Sequence, residues 1–374
     1  MHEKFDYTTL AQRFSARFPV LSYVGIQINF WIVANILLGV ILHLHASLIT
    51  QKLDLPALSR LGPVILVAVI LGILYGISLG LTDHYLDKNI FRKQPLGKVI
   101  LLKTIISLCV LILLVRLMRF VFSDFLIYPS TYKAYLTISN KSWEYFFYIL
   151  VIYYFFMTLV INFINQVNKK YGPGVLVPIL LGKYRNPREE ERIFLFMDLK
   201  SSTATAEQLG HLKYSSFIRD SFMDINQVLS LFNAEVYQYV GDEIVVTWRV
   251  SDGLRDASCI RFFFACEKQF LDRSEYYSKY YGFLPNFKAG LHLGKVTAVE
   301  IGVIKRDIAY HGDTLNTAAR IQSVCNEYNK KLLISESLLE KIDLNHDLKT
   351  ETLGMIQLRG KTTKVGIASV NWIS

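Results

Sequence analysis

Two aspartates, each delivered by an apolar run, are the residues of this sequence best suited to chemistry. Ile193 to Met197 reads as a buried strand that ends in Asp198, and Leu199, Lys200, Ser201, Ser202 and Thr203 then lead into a helical pattern near Ala204. An acid at a strand end, followed by a small-residue turn and a helix N-terminus, suits a cation and a phosphate, because free amides and the helix dipole attract negative charge. Taken alone, the same run also looks like an ordinary capped helix start. It does not stand alone. Glu235–Val240 and Ile244–Trp248 read as two strands around Gly241-Asp242-Glu243, a tight turn that presents a second acid. Aspartates at the ends of neighbouring strands can hold two Mg²⁺ or Mn²⁺ ions about 4 Å apart, an arrangement that activates an attacking oxygen and neutralises phosphates.

Further along, 287–295 alternates like a strand and 296–304 like its antiparallel partner, and a helix is predicted from near Asp313. That helix carries Asn316 and Arg320 at i and i+4, on one face. An amide and a guanidinium so placed can position a ribose and neutralise charge developing on a phosphorus. Without the two aspartates, a surface helix pair would be the simpler explanation.

The elements that must carry these residues fall into two halves of opposite character. The 374 residues are 52% hydrophobic, with 41 Lys+Arg, 31 Asp+Glu and a net charge of +10. That composition excludes a disordered chain, and four cysteines (Cys109, Cys259, Cys266, Cys325) without C-x-x-C spacing exclude a zinc module or a disulfide scaffold. Divided at Asn168, residues 1–168 hold 14 Lys+Arg and 7 Asp+Glu, a net of +7, and the remainder holds 27 and 24, a net of +3. The basicity belongs to the apolar half, which points to membrane topology rather than to nucleic acid.

Four apolar runs, about 23–49, 61–82, 99–120 and 143–164, each reach the roughly 20 residues needed to cross the hydrocarbon. Basic residues favour the N-terminus, the second connection and the exit, so four spans with both termini cytoplasmic are expected, in an inner or plasma membrane with lipid as a partner. His43 and His45 invite a haem or metal reading, but lie about a bilayer away from Asp83 and His84, so unliganded interfacial histidines are the simpler account. Trp31, Trp143 and the tyrosines near them suit interface anchoring and helix packing. No ligand site is visible in this half. Gly172, Pro173, Gly174, Pro178 and Pro187 then mark a linker with one short amphipathic piece, 175–181, closing on the charged run Arg188–Arg192. The expected domains are a membrane bundle (1–167), a cytoplasmic linker (168–192) and a catalytic domain (193–374).

The runs Phe196-Met197-Asp198-Leu199-Lys200-Ser201-Ser202-Thr203, Val240-Gly241-Asp242 and Gly312-Asp313-Thr314-Leu315-Asn316-Thr317-Ala318-Ala319-Arg320 resemble, in order and spacing, the signature blocks of class III nucleotidyl cyclases, over about residues 190–372. That resemblance implies an α/β ferredoxin-like domain working as a head-to-tail homodimer with active sites at the interface. It implies that Asp198 and Asp242 bind two metals with help from the Leu199 carbonyl, and that the amides of Lys200, Ser201, Ser202 and Thr203 cradle phosphates. Asn316 would orient the ribose and Arg320 stabilise the transition state, both from the other subunit. Lys361, with Arg359 close by, would bind phosphate. The implied reaction is attack of a ribose 3′-oxygen on the α-phosphorus, with pyrophosphate leaving.

Purine choice is where the chain departs from the family. Adenylyl-type members commonly place Lys four residues before the second metal Asp and Asp or Thr seven before the Asn, and guanylyl-type members place Glu and Cys or Ser there. Here Gln238 and Ala309 occupy those positions, with Asp307 two residues earlier as a possible substitute. A Gln amide can bond either purine edge and Ala neither. An adenylate cyclase is the expected function, with a guanylate or mixed-purine cyclase and a silent membrane receptor as alternatives. A diguanylate cyclase would lack the Asn-x-x-x-Arg helix, and a transporter would need intramembrane charges or repeats not visible here.

Overall fold

The computed structural model describes residues 19–52, 61–89, 96–121, 140–171, 182–303, 306–344, 347–357 and 364–373. Contacts divide the chain into two compact units, Phe18–Pro173 and one containing Gly174–Ser374.

The first unit consists of α1 (Pro19–Lys52), α2 (Leu61–Asn89), α3 (Leu96–Val121) and α4 (Asn140–Tyr171). Three stretches, Val24–Lys52, Leu61–Thr82 and Glu144–Asn165, are long and apolar enough to cross a membrane, with mean hydropathies of 2.1, 2.7 and 2.2. The expectation of four such spans is therefore met by three among the described residues. The remaining run is helical but carries Lys103 and Arg116 within it, besides Lys98 and Arg119 at its ends. Helices α1 and α2 meet backbone to backbone: a Cβ on Gly72, Gly76 or Gly80 would lie 2.5–2.8 Å from the Cα of Ile32, Ile28 or Val24. Small residues every fourth position allow this approach in lipid, where dispersion replaces the hydrophobic effect as the force between helices. Trp31 serves helix packing: it is buried, stacked on Tyr154 at 5.3 Å and edge-on to Tyr75 at 4.3 Å. His45 is exposed.

The second unit is built on a mixed eight-stranded sheet. Its strands are β1 (Arg188–Leu199), β2 (Glu235–Val240), β3 (Glu243–Arg249), β4 (Phe287–Ile301), β5 (Asp307–His311), β6 (Leu332–Ser335), β7 (Leu348–Ile356) and β8 (Val365–Trp372). Their order is β2-β3-β1-β4-β6-β8-β7, with β5 paired to β4. Among the described residues only the β4–β6 pairing is parallel. Strand β1 reads as an unbroken apolar run because both its faces are covered. Ile193, Leu195, Met197 and Leu199 join the large core with α6 (His211–Leu229) and α7 (Ser258–Asp272). Phe194 and Phe196 face the other layer, beside Ala318 and Leu315 of α9 (Asp313–Ser323).

Two local expectations change. The charged run Arg188–Arg192, read as linker, is the first part of β1 and pairs with Gly294–Ala298 of β4. The hairpin expected from the alternation is not formed: β4 runs unbroken from Phe287 to Ile301, and the next strand, β5, pairs antiparallel with its second half. The reason lies in Gly290 and Gly294, which mark a floor rather than a turn. A Cβ on Gly290 would strike the Gln322 amide and the Ala318 carbonyl of α9, and one on Gly294 would lie 2.5 Å from the Thr314 hydroxyl. These glycines let α9 lie directly on the sheet. Gly290→Val is accordingly expected to destabilise the domain by roughly 1–3 kcal/mol through overpacking and to displace α9, read as a lowered thermal midpoint. The amphipathic piece 175–181, Lys361 and Arg359 lie outside the described residues.

Candidate active site

Asp198 closes β1 on the α9 side of the sheet, in register with Glu243 on β3 and Lys288 on β4. Asp242 sits one residue before Glu243, in the two-residue turn between β2 and β3, where Gly241 takes a positive φ of 62°. A left-handed first turn residue matches the twist of a hairpin, which explains glycine at that position. Three carboxyl groups thus converge on one sheet edge with one ammonium: Lys288 Nζ is 3.5 Å from Asp198 Oδ2, which also accepts from Gln322 Nε2 at 3.1 Å. Burial, then the negative charge of Asp242, raises the Asp198 pKa, with Lys288 and Gln322 opposing. Glu243 is pushed up to about 7, first by burial and then by repulsion from Asp198 and Asp242. Asp242 Oδ2 is buried without a hydrogen-bond partner. Burial and neighbouring carboxylates raise the pKa of Asp198 and Glu243, and this, beside an orphaned carboxylate oxygen, suits a site that holds a cation.

The Glu243 shift has a measurable sign. In metal-free protein the folded state retains a proton that the unfolded chain, with a pKa near 4.5, releases. Stability contributed by this group is therefore greatest below the unfolded pKa and is lost as pH rises toward about 7. In chelator, the thermal midpoint of the wild type should fall relative to that of Glu243→Gln between about pH 5 and about pH 7.5, and parallel curves would refute the assignment.

The turn after Asp198 reaches α5 (Ser202–Leu209) through Ser201, whose backbone is left-handed (φ 58°, ψ 39°) and whose side chain makes no cap. A non-glycine residue in that region is strained, and the conformation starts the helix immediately beyond the strand. The Lys200 amide donates to the Asn286 carbonyl at 2.8 Å. It therefore does not join the cradle expected of Lys200–Thr203, which leaves the amides of Ser201, Ser202 and Thr203 at the helix start. The Lys200 side chain is exposed.

Asn316 and Arg320 lie on α9 as expected. Its buried face is formed by Thr314, Thr317, Ala318, Ile321 and Gln322, while Asn316 is exposed and Arg320 half-buried. Within one chain the α9 side chain that reaches Asp198 is Gln322. Gln238 is exposed on β2 just past a bulge, and Ala309 is buried on β5 opposite Val299. Their chain neighbours Tyr237 and Tyr310 meet at 5.1 Å and bring these two strands into one region. Asp307 is exposed, and its Oδ1 accepts from the Ile308 amide at 2.9 Å. Sequence reasoning missed Gln322, Lys288 and Tyr214, whose ionisation is opposed by burial and by Asp242. Strand register, not spacing along the chain, places Lys288 opposite Asp198. Among the described residues no three His, Cys, Asp or Glu side chains form a metal cage. Two carboxylates are nevertheless enough for Mg²⁺, which keeps few protein ligands and takes the rest from phosphates and water.

Fold and site together define an α/β domain with three carboxyl groups gathered at the strand ends beside a helix start. Residues 185–368 match the family described as the Adenylate and Guanylate cyclase catalytic domain, and this segment is a class III nucleotidyl cyclase domain. The chain is 36% identical over 210 residues to Adenylate cyclase 2 of Rhizobium meliloti (strain 1021), covering 56% of this chain and 58% of that protein. It is 24% identical over 183 residues to Adenylate cyclase of Anabaena cylindrica, covering 47% of this chain and 36% of that protein. The chain thus spans less than two thirds of the length of either relative. A bacterial light-regulated adenylyl cyclase has the same fold at 18% identity and a TM-score of 0.51, over 62% of this chain and 67% of that one.

Proposed function

We propose that this chain is a membrane-bound adenylate cyclase that converts ATP to 3′,5′-cyclic AMP and pyrophosphate, acting as a homodimer. The observation that carries the proposal is the pair Asp198 and Asp242 on adjacent strand ends, with a buried, unpartnered Asp242 oxygen. Asp198, Asp242 and the Leu199 carbonyl would hold two Mg²⁺ or Mn²⁺ ions. When bound, such ions make the ribose 3′-hydroxyl a better nucleophile and offset phosphate charge. The chain's own residues do the positioning. The Ser201–Thr203 amides and the Lys200 side chain would receive the β- and γ-phosphates, and Lys361 and Arg359 would add charge there. Asn316 of the second copy would orient the ribose, and Arg320 of that copy would offset charge gathering on the α-phosphate oxygens.

ATP is favoured because the curated relatives at 36% and 24% identity are adenylate cyclases. A guanylate or mixed-purine cyclase is the second reading, supported by Ala309, a buried position without a side-chain hydrogen-bonding group, beside the two-way amide of Gln238. A silent receptor is disfavoured by retention of Asp198, Asp242, Asn316 and Arg320. We place α1 to α4 as four membrane spans with both termini cytoplasmic, holding two catalytic domains together and passing a cue through residues 168–192. The decisive measurement supplies ATP and GTP separately with Mg²⁺ or Mn²⁺ and resolves cyclic AMP, cyclic GMP and cyclic dinucleotides. Cyclic AMP as the main product is expected; cyclic GMP as the main product would transfer the assignment to the second reading, and no product from either nucleotide would overturn it.

A further inference from the structure

Among the described residues no backbone ladder joins β2 to β5. Strands β3, β1 and β4 lie between them in the sheet, so holding Gln238 at a fixed distance from Ala309 falls to side chains that cross the sheet face. Tyr237 and Tyr310 make that crossing. Their rings meet at 5.1 Å and gather on Phe194 of β1, at 6.1 and 5.6 Å, on the face where Ala318 and Leu315 of α9 also pack.

Tyr237 is also where the β2–β3 register breaks. Val236 pairs with Val246 and Gln238 with Val245, which makes Tyr237 the extra residue of a bulge. A bulge bends its strand and re-aims a side chain. Here the Tyr237 hydroxyl reaches β5 and accepts from the Tyr310 amide at 3.2 Å. Tyr310 is held a second time: the Arg192 guanidinium lies 4.9 Å over its ring, and Arg192 is itself fixed by Glu190 at 3.2 Å and by Glu235 of β2 at 3.0 Å. One direct contact and one routed through a buried arginine therefore tie β2 to β5. Tyr239, two residues further along β2, makes different contacts: its hydroxyl bonds Asn226 and its ring packs against Phe222, both on α6.

We propose that Tyr237 is a positioning residue for purine selection: its hydroxyl, with Arg192 over the Tyr310 ring, fixes the distance between Gln238 and Ala309 and thereby the width of the base pocket. The proposal rests on the reading of Gln238 and Ala309 as the positions that meet the purine. Ala309 has no side-chain hydrogen-bonding group, so discrimination depends on where the Gln238 amide and the β5 backbone stand. Preference for one purine is a difference of two affinities, and it lasts only while the polar groups that create it are held in place. Opening the clamp lets either base settle by small shifts of β5, and the preferred base loses the more.

The experiment uses the full chain in phosphatidylcholine nanodiscs with Mg²⁺. Binding of 3′-deoxy-ATP and 3′-deoxy-GTP, which lack the attacking hydroxyl, gives the purine preference without turnover, and ATP and GTP give KM and kcat. Tyr237→Phe keeps the ring and removes the acceptor. Its binding ratio is expected to move toward one by about fivefold, the scale of one lost neutral hydrogen bond, with KM for the preferred nucleotide rising about as much and kcat changing by less than about twofold. Arg192→Lys keeps a cation for Glu190 and Glu235 but loses the flat group over Tyr310, so it should move the ratio the same way and decides the matter if Tyr237→Phe does not fold. Tyr239→Phe removes a hydroxyl from the same strand and should leave the ratio unchanged. A merely structural weakening of β2 would lower both affinities together and spare their ratio. An unchanged ratio in Tyr237→Phe, an equal change in Tyr239→Phe, or a wild type without purine preference overturns the proposal. An altered binding ratio in a protein that makes no cyclic product would overturn the cyclase reading and leave the clamp standing, whereas cyclic product with an unchanged ratio does the reverse.

Discussion

Asp242→Ala is expected to lower cyclase turnover by on the order of a thousandfold while leaving the domain folded. Asp242 occupies the second residue of a two-residue turn and its Oδ2 is buried without a partner, so removing the carboxylate breaks no contact of that oxygen in the fold. Indeed, it relieves repulsion, because Asp242 is among the causes that raise both Asp198 and Glu243. Loss of the Tyr214 hydrogen bond to the Asp242 side chain offsets part of this relief, so the variant should be about as stable as the wild type in chelator. Mn²⁺ is expected to raise the thermal midpoint of the wild type and not that of the variant. Lost turnover with retained stability distinguishes a cation-holding acid from a structural one. Near wild-type turnover in Asp242→Ala would remove the basis for the metal assignment.

Arg320→Ala is expected to lower turnover by roughly a hundredfold or more, as does loss of a side chain that acts on transition-state charge. Mixing it with Asp242→Ala provides the sharper result. Arg320 is on the face of α9 turned away from the sheet, whereas Gln322 from the same helix reaches Asp198 of its own chain. If each site takes its acids from one copy and Arg320 from the other, a heterodimer of the two variants contains one fully intact site and one doubly impaired site. Co-expression in equal amounts, with random pairing in a symmetric dimer, should then restore about a quarter of wild-type activity. Mixtures no more active than the two variants assayed apart would show that Arg320 serves the site of its own chain.

Much of this site was legible because its residues are carried by short local patterns. Asp198 ends an apolar run, Asp242 sits in a Gly-Asp turn, and Asn316 and Arg320 are one helical turn apart; strand, turn and helix periods are local properties of sequence. The strand pair around Asp242 and the start of α9 near Asp313 follow from the same periods. What misled was also local. The alternation across 287–304 suggested two strands, yet β4 continues unbroken, because Gly294 answers to Thr314 of a helix that follows it by some twenty residues. The charges of Arg188–Arg192 suggested a linker, yet Arg192 is buried, paired with Glu190 and Glu235 at 3.2 and 3.0 Å and lying over the Tyr310 ring. Buried charge is tolerated where partners from other strands surround it, and no run of neighbours reveals that.

The sequence by itself determined the division of the chain into an apolar basic half and a charge-balanced half, and the identities of the two acids, the amide and the guanidinium. Composition and period suffice for that, since both follow from where apolar side chains must go. Only the tertiary structure decided which groups act on those residues: Lys288 by register across the sheet, Gln322 by a helix laid on a glycine floor, and Glu243 by its approach to Asp198 and Asp242, whose charges help to push its pKa up. It decided the same for the helical half, where Trp31, Tyr75 and Tyr154 are far apart in sequence and meet only when α1, α2 and α4 pack. Electrostatic and hydrogen-bonding partners depend on distance in space, and distance in space is what a linear pattern does not contain.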